Sequence, residues 1–226
     1  AGTSGLQCVL IGDLLGPSLA ERLQSLSTNP TSDKDGLLGI LDGMCGRFAF
    51  YSPSEATAAL FDVVGALPVE ARYNIAPSQY VAAIRNGEDG ARHLAMLRWG
   101  LVPFWAKDPS IGNRMINARA ETVAEKPAFR AAYRHRRCLV LADGFYEWRR
   151  EGSVKTPYYI STADGQPFAF AALWENWNSK QGDESIQSTT LIMTEANDIF
   201  SRKKMEQSVE NITALLSNIG YAFANV

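Results

Sequence analysis

The chain has 226 residues, 46% hydrophobic and 20% charged, a composition that supports one globular domain with a sizeable core. No apolar run approaches the roughly eighteen residues of a membrane-spanning helix, and the first residues lack the basic start of a secretory signal, so an intracellular protein with no membrane partner is expected. Three cysteines (Cys8, Cys45, Cys138) without metal-ligand spacing, and only two histidines (His93, His135), argue against a disulfide framework and a metal site; no cofactor is expected.

In chain order, residues 1 to 43 carry no motif. Pro17 to Leu26 reads as a short helix with Leu19, Leu23 and Leu26 on one face, followed by a turn-rich stretch from Ser27 to Gly36. This part is expected to be a weakly ordered extension, or sequence upstream of a start at Met44. Beyond it, Ser54 to Phe61 reads as a helix with Ser52 or Ser54 as N-cap. Strands are predicted at Tyr80 to Arg85, His93 to Gly100, Arg137 to Leu141, Pro157 to Ser161, Phe168 to Leu173 and Ser188 to Thr194. Short strands with few helices between them predict an α+β fold, mainly antiparallel β-sheets forming an open barrel-like core with a few flanking helices.

The net charge of −2 hides a gradient, because residues 98 to 150 hold eleven Lys/Arg against five acids. Such a basic window suits a phosphate backbone, and equally a solvated face. Within it, Arg98-Trp99-Gly100-Leu101-Val102-Pro103-Phe104-Trp105-Ala106-Lys107 interleaves rings and cations, as a single-stranded nucleic-acid platform requires. Trp99 is assigned to the core and Trp105 to the surface.

Cys45 lies in Met44-Cys45-Gly46-Arg47-Phe48. If translation or cleavage makes Cys45 the first residue, it carries an α-amine that titrates near about 7.7–8.0 and a thiol near about 8.5. The amine can condense with an aldehyde to an imine, and the thiol can then close a thiazolidine ring. The plainer reading is an ordinary buried strand cysteine. While residues 1 to 44 stay attached, the Cys45 nitrogen is an amide and the imine chemistry is closed to it.

Five segments together resemble the SOS-response-associated peptidase (SRAP) family, also called abasic-site-processing proteins. They are Met44-Cys45-Gly46-Arg47-Phe48, Arg72-Tyr73-Asn74-Ile75-Ala76-Pro77, Arg98 to Ala106, Ile116-Asn117-Ala118-Arg119-Ala120-Glu121-Thr122, and Arg137 to Trp148 with its Gly144-Phe145-Tyr146-Glu147-Trp148 ending. The resemblance implies a covalent thiazolidine between Cys45 and the ring-opened aldehyde of an abasic site in single-stranded DNA, and removal of the initiator methionine at the same site. It implies catalytic roles for Cys45, Asn117 and Glu147. Arg47 and Arg119 are implied near the lesion phosphates, and Pro77 and Trp105 as rings or wedges beside the lesion. A carboxylate among Phe145, Tyr146 and Trp148 is expected to have a raised pKa and to move a proton; its alternative role is a salt bridge to an arginine. Asn74 is expected to shape the turn into Ala76-Pro77, and Cys138 to be buried and inert.

The SRAP-like domain is expected to span residues 44 to 198 and to act as a monomer, nuclear in a eukaryote and cytoplasmic in a bacterium. After Asp198 the family continues to a His-x-Arg-Met-Pro segment whose histidine joins the active site, whereas this chain reads Ile199-Phe200-Ser201-Arg202-Lys203-Lys204-Met205 with no histidine. Residues 199 to 226 therefore read as a divergent tail, truncated or frameshifted relative to the family. The rival readings are a cysteine peptidase acting on its own N-terminus or on peptides, and a single-stranded DNA-binding module with impaired chemistry.

Overall fold

The computed structural model describes residues 6–10, 45–65, 69–151, 153–162 and 164–193. The strands are β1 (Leu6–Leu10), β2 (Arg47–Phe50), β3 (Arg72–Ile75), β4 (Tyr80–Asn86), β5 (Arg92–Trp99), β6 (Asn117–Arg119), β7 (Arg137–Ala142), β8 (Gly144–Glu151), β9 (Val154–Thr162), β10 (Phe168–Asn178) and β11 (Ser185–Met193). Helices α1 (Ser54–Phe61) and α2 (Arg130–His135) and a 3-10 helix (Pro109–Arg114) flank them. The fold is α+β and predominantly β, as the strand pattern predicts. The helix expected at Pro17 to Leu26 and the tail from Ile199 lie outside the described residues, whereas β1 forms within the segment read as an extension and pairs antiparallel with β9.

Burial patterns explain the sheet order. In β7 the five residues Cys138 to Ala142 are all buried, the signature of a strand covered on both faces, and β7 lies between β10 and β4. The six-stranded sheet runs β10-β7-β4-β5-β11-β6, and an additional β10–β11 pairing closes its first five strands into a ring. A ring has no exposed edges to protect. The second sheet runs β1-β9-β8-β2-β3.

The two sheets meet over a core that includes Phe48, Ile84, Leu97, Trp99, Val140 and Leu141. Phe48 fixes β2 against the ring: its side chain meets Trp99 edge-on at 5.1 Å and Phe170 at 5.8 Å. Trp99 is fully buried, as assigned from sequence, and its Nε1 donates to Ile116 O at 2.9 Å. Cys138 is also buried, as expected. Together these interactions fix the residues before Asn117 and after Cys45.

The expected N-cap of α1 is not observed. The N-cap position is Pro53, with no side-chain hydrogen bond. Ser52 instead donates its hydroxyl to Asp143, whose other oxygen accepts the backbone N–H groups of Tyr51 (2.5 Å) and Ser52 (2.8 Å). Asp143 is buried and has no ion pair among the described residues, and a buried carboxylate needs such donors, so it claims the serine that would otherwise cap the helix.

Candidate functional site

Cys45 stands just ahead of β2, held by the Phe48 anchor, and is fully buried. Its thiol donates to Arg47 O at 3.5 Å. Burial, and then the negative charge of Glu147, push the thiol pKa far above its ordinary value, so the resting sulfur is protonated. Chemistry at this sulfur requires a neighbouring group that can take its proton.

Asn117 opens β6, which runs parallel to β11 with Leu191 opposite Asn117. Its Nδ2 donates to Cys45 O at 2.8 Å, tying together two residues 72 positions apart. Its Oδ1 is buried and has no hydrogen-bond partner among the described residues. Buried acceptors are almost always satisfied, so this one marks a place where a donor belongs.

Glu147 lies on β8 and is only 4% exposed. The unbroken β8–β9 register puts Glu147 on the same face as Phe145 and turns Tyr146 and Trp148 to the other face. Of the three rings expected around the carboxylate only Phe145 shares its face, yet the expected burial is present. Removal from water raises the Glu147 pKa to about 7, partly offset by a hydrogen bond from the Trp148 backbone. No ion pair to Glu147 occurs among the described residues, so the salt-bridge alternative has no support there.

The same shift makes a stability prediction. A carboxyl whose folded pKa lies above its unfolded value favours the folded state while protonated, and that advantage is lost as pH climbs through the folded pKa. A rise from 4.5 to about 7 corresponds to about 3 kcal/mol. Denaturant titrations should therefore show wild-type stability falling by about this much, relative to Glu147→Gln, between pH 4.5 and 8; parallel pH profiles would exclude the shift.

Arg47 begins β2 on the exposed side, and its Nη1 donates to Asn74 Oδ1 at 3.1 Å. Asn74 therefore lies on β3 and binds Arg47 instead of capping the turn. The turn is held by Gln79, whose Oε1 accepts from Ala76 N at 3.0 Å, with Ser78 in the left-handed region at φ 71°. Arg47, Tyr73, Asn74, Tyr146 and Trp148 line an open groove of about 480 Å³. The sequence motifs alone do not single out Tyr73, Tyr146 and Trp148 as groove residues. Aromatic residues at alternate positions 146 and 148 are the available signal, since alternation on a strand puts both on one face.

The other predicted residues lie on separate elements. Pro77 is half-buried in the turn after β3, and Arg119 is exposed at the end of β6 opposite Met193. Trp105 is half exposed on a loop that Trp177 ties down through Nε1 to Ala106 O at 2.7 Å. In the basic window Arg136 is spent on an ion pair with Glu175 at 2.7 Å, while Lys107, Arg114, Lys126, Arg130 and Arg134 are exposed. His93 pairs with Asp89 on the exposed β4–β5 turn. Among the described residues no group of three or more His, Cys, Asp or Glu could hold a metal, and no helix is long and apolar enough to cross a membrane.

The protein is α+β and barrel-like, and it gathers from three segments a buried cysteine, an amide and a carboxylate that forms no ion pair among the described residues. The model of the SOS response associated peptidase (SRAP) family matches residues 44–206, and the chain belongs to that family. It is similar to the abasic site processing protein YoaM of Bacillus subtilis, with 46% identity over 162 residues and 70% of each chain covered. Abasic site processing protein YedK of Escherichia coli is 37% identical over 161 residues, with 69% of each chain covered. A crystal structure of a protein from Bacteroides thetaiotaomicron is similar at a TM-score of 0.61 and 27% identity, over 66% of this chain and 68% of that one.

Proposed function

We propose that this protein processes abasic sites in single-stranded DNA by forming a covalent crosslink to them through Cys45, acting as a monomer. The observation that carries the reading is that Asn117 bonds the Cys45 carbonyl and the charge of Glu147 acts on the Cys45 thiol, with an amide oxygen unsatisfied among the described residues and a carboxyl of pKa about 7 in the same neighbourhood. The names of the relatives support the substrate class.

With the Cys45 amine freed, its nitrogen attacks the C1′ aldehyde of the ring-opened sugar to give a carbinolamine. Protonated Glu147 donates to the departing hydroxyl, releasing water and leaving an iminium whose nitrogen keeps one hydrogen. The resulting carboxylate then takes the thiol proton as sulfur attacks the imine carbon, and the nitrogen retains one hydrogen in the closed thiazolidine. One water is lost overall and Glu147 ends as it began. A carboxyl with pKa about 7 is populated in both forms near neutrality, as this double duty requires. Asn117 Oδ1 accepts from the amine and holds its lone pair toward the aldehyde. The same centre is assigned hydrolysis of the Met44–Cys45 bond, in which water supplies the hydroxyl of the new Met44 carboxyl and the hydrogen of the freed Cys45 amine.

The test is a denaturing gel of the amine-freed protein with a single strand containing one abasic site. A band that survives denaturant supports the reading; cleavage of peptides with no DNA adduct would favour a peptidase instead. Arg47→Ala and Arg119→Ala are expected to weaken binding and to lower the salt-dependence slope by about 0.7 each, since every phosphate left without its arginine keeps its counterions on the single strand. Unchanged slopes in both would return these arginines to structural roles.

A further inference from the structure

The groove lined by Arg47, Tyr73, Asn74, Tyr146 and Trp148 is unlike the reaction centre. It opens on the other face of β8 from Glu147, where Tyr146 and Trp148 point, and its rings are partly open to solvent: Tyr73 is 40% and Trp148 39% exposed. Rings gathered on one open groove offer faces for stacking, and the neighbouring groups narrow the kind of ligand they fit.

Tyr73 is held from behind. Tyr51 stacks on it with ring centroids 5.1 Å apart and planes 18° from parallel, and Tyr146 Oη donates to its carbonyl at 2.7 Å. Tyr51 is in turn fixed through its backbone N–H to the buried Asp143. One face of the Tyr73 ring is thus covered by protein, and the ring is prepared to take a flat ligand on its other face without further ordering. The Asn74 amide is oriented by chemistry, because Arg47 is a donor only and must face the Oδ1 atom. That leaves the Asn74 Nδ2 as a donor on the groove. A flat aromatic platform, an amide donor and a guanidinium at the rim match a nucleobase with its phosphate.

We propose that Tyr73 and Asn74 form a nucleobase subsite for a nucleotide flanking the lesion, with Tyr73 stacking on the base and Asn74 Nδ2 donating to a base carbonyl. The subsite rests on the DNA-binding reading above and adds to it a base preference. Thymine, cytosine and guanine present a carbonyl oxygen to that donor, whereas adenine offers only ring nitrogens, and the Oδ1 needed for a bidentate pair with adenine is already taken by Arg47, so adenine is the disfavoured occupant. Arg47 links the subsite to the reaction centre, standing two residues after Cys45 and bonded to Asn74.

The test uses the full chain and noncovalent binding, so it does not depend on Cys45 chemistry. The probes are thymidine oligomers carrying one tetrahydrofuran abasic analogue, which has no aldehyde, with each neighbouring base varied in turn; binding is read by fluorescence anisotropy. Wild type should bind the adenine-flanked strand roughly two- to tenfold more weakly than the thymine-flanked one on the side the groove occupies, the worth of one hydrogen bond. Asn74→Ala should flatten that preference. Tyr73→Ala should raise Kd about 5- to 150-fold for every strand, the range that single base–aromatic stacks give. Tyr73→Phe, which keeps the ring, should retain most of what Tyr73→Ala loses. Thermal melts of each variant separate binding from folding. Wild type that binds tightly with Kd unchanged in Tyr73→Ala overturns the subsite alone. A folded Tyr73→Phe as weak as Tyr73→Ala, or a wild type indifferent to both flanking bases, overturns it as well. A wild type that binds none of these strands at low salt overturns the DNA-binding reading together with it.

Discussion

Cys45→Ala, in a chain whose residue 45 carries a free amine, is expected to abolish the denaturant-resistant adduct with abasic single-stranded DNA. The amine would remain and could still condense to an imine, but no sulfur would trap it, and an imine hydrolyses during denaturation. The same abolition is expected when residues 1 to 44 remain attached to an unmutated Cys45, because an amide nitrogen cannot condense. The two defects have separate signatures: borohydride reduction should trap the imine of Cys45→Ala and recover nothing from the uncleaved chain. Intact mass must establish the N-terminus in each case. An uncleaved chain crosslinking as well as the freed one would refute the thiazolidine mechanism.

Glu147→Gln is expected to slow adduct formation by roughly 10²–10⁴-fold, the usual contribution of a positioned acid or base, with little change in noncovalent DNA binding. The pH profile makes this specific. The wild-type rate should fall as pH rises through about 7, where Glu147 loses the proton it must give to the departing hydroxyl. On the low side it should fall as the α-amine becomes protonated below about 7.7–8.0. These opposing requirements give a bell whose limbs belong to the coupled system. In Glu147→Gln the descending limb should vanish, leaving a slow rate that rises with pH as the amine is deprotonated. A folded, correctly processed Glu147→Gln that reacts at the wild-type rate would reduce Glu147 to a structural residue.

The ring strands were legible because their sequences are apolar runs or alternations long enough to read. Cys138 to Ala142 is such a run, and Tyr80 to Arg85 and Phe168 to Leu173 fall within β4 and β10. The strands of the site were less so. β6 has three residues, too few for any period, and exists through its pairing with β11. β8 reads Gly-Phe-Tyr-Glu-Trp-Arg-Arg-Glu, where both faces carry aromatic rings and the buried Glu147 breaks the apolar alternation. A buried acid looks like a surface acid in sequence; only its motif singled it out. Cys45, Asn117 and Glu147 were therefore named through family resemblance, while their convergence was not readable from spacing. Asn74 shows the opposite error. Local propensity favours a turn, but Arg47, 27 residues earlier, supplies a partner that no local rule anticipates.

The division of β11 between two neighbours sets a schedule for the reaction centre. Ser188 and Thr189 pair with β5, and the following Leu191 to Met193 pair with β6, which carries Asn117. Along its strand β6 has β11 as its neighbour in the sheet, so Asn117 gains its full backing only after the chain has been made through Met193. At synthesis rates of about 5–20 residues per second, several seconds separate the appearance of Asn117 from that of the strand that seats it. During that interval Cys45 lacks its fully mounted amide partner. Cys45 and Asn117, 72 residues apart in sequence, are therefore joined late, once β11 has taken its place beside β6.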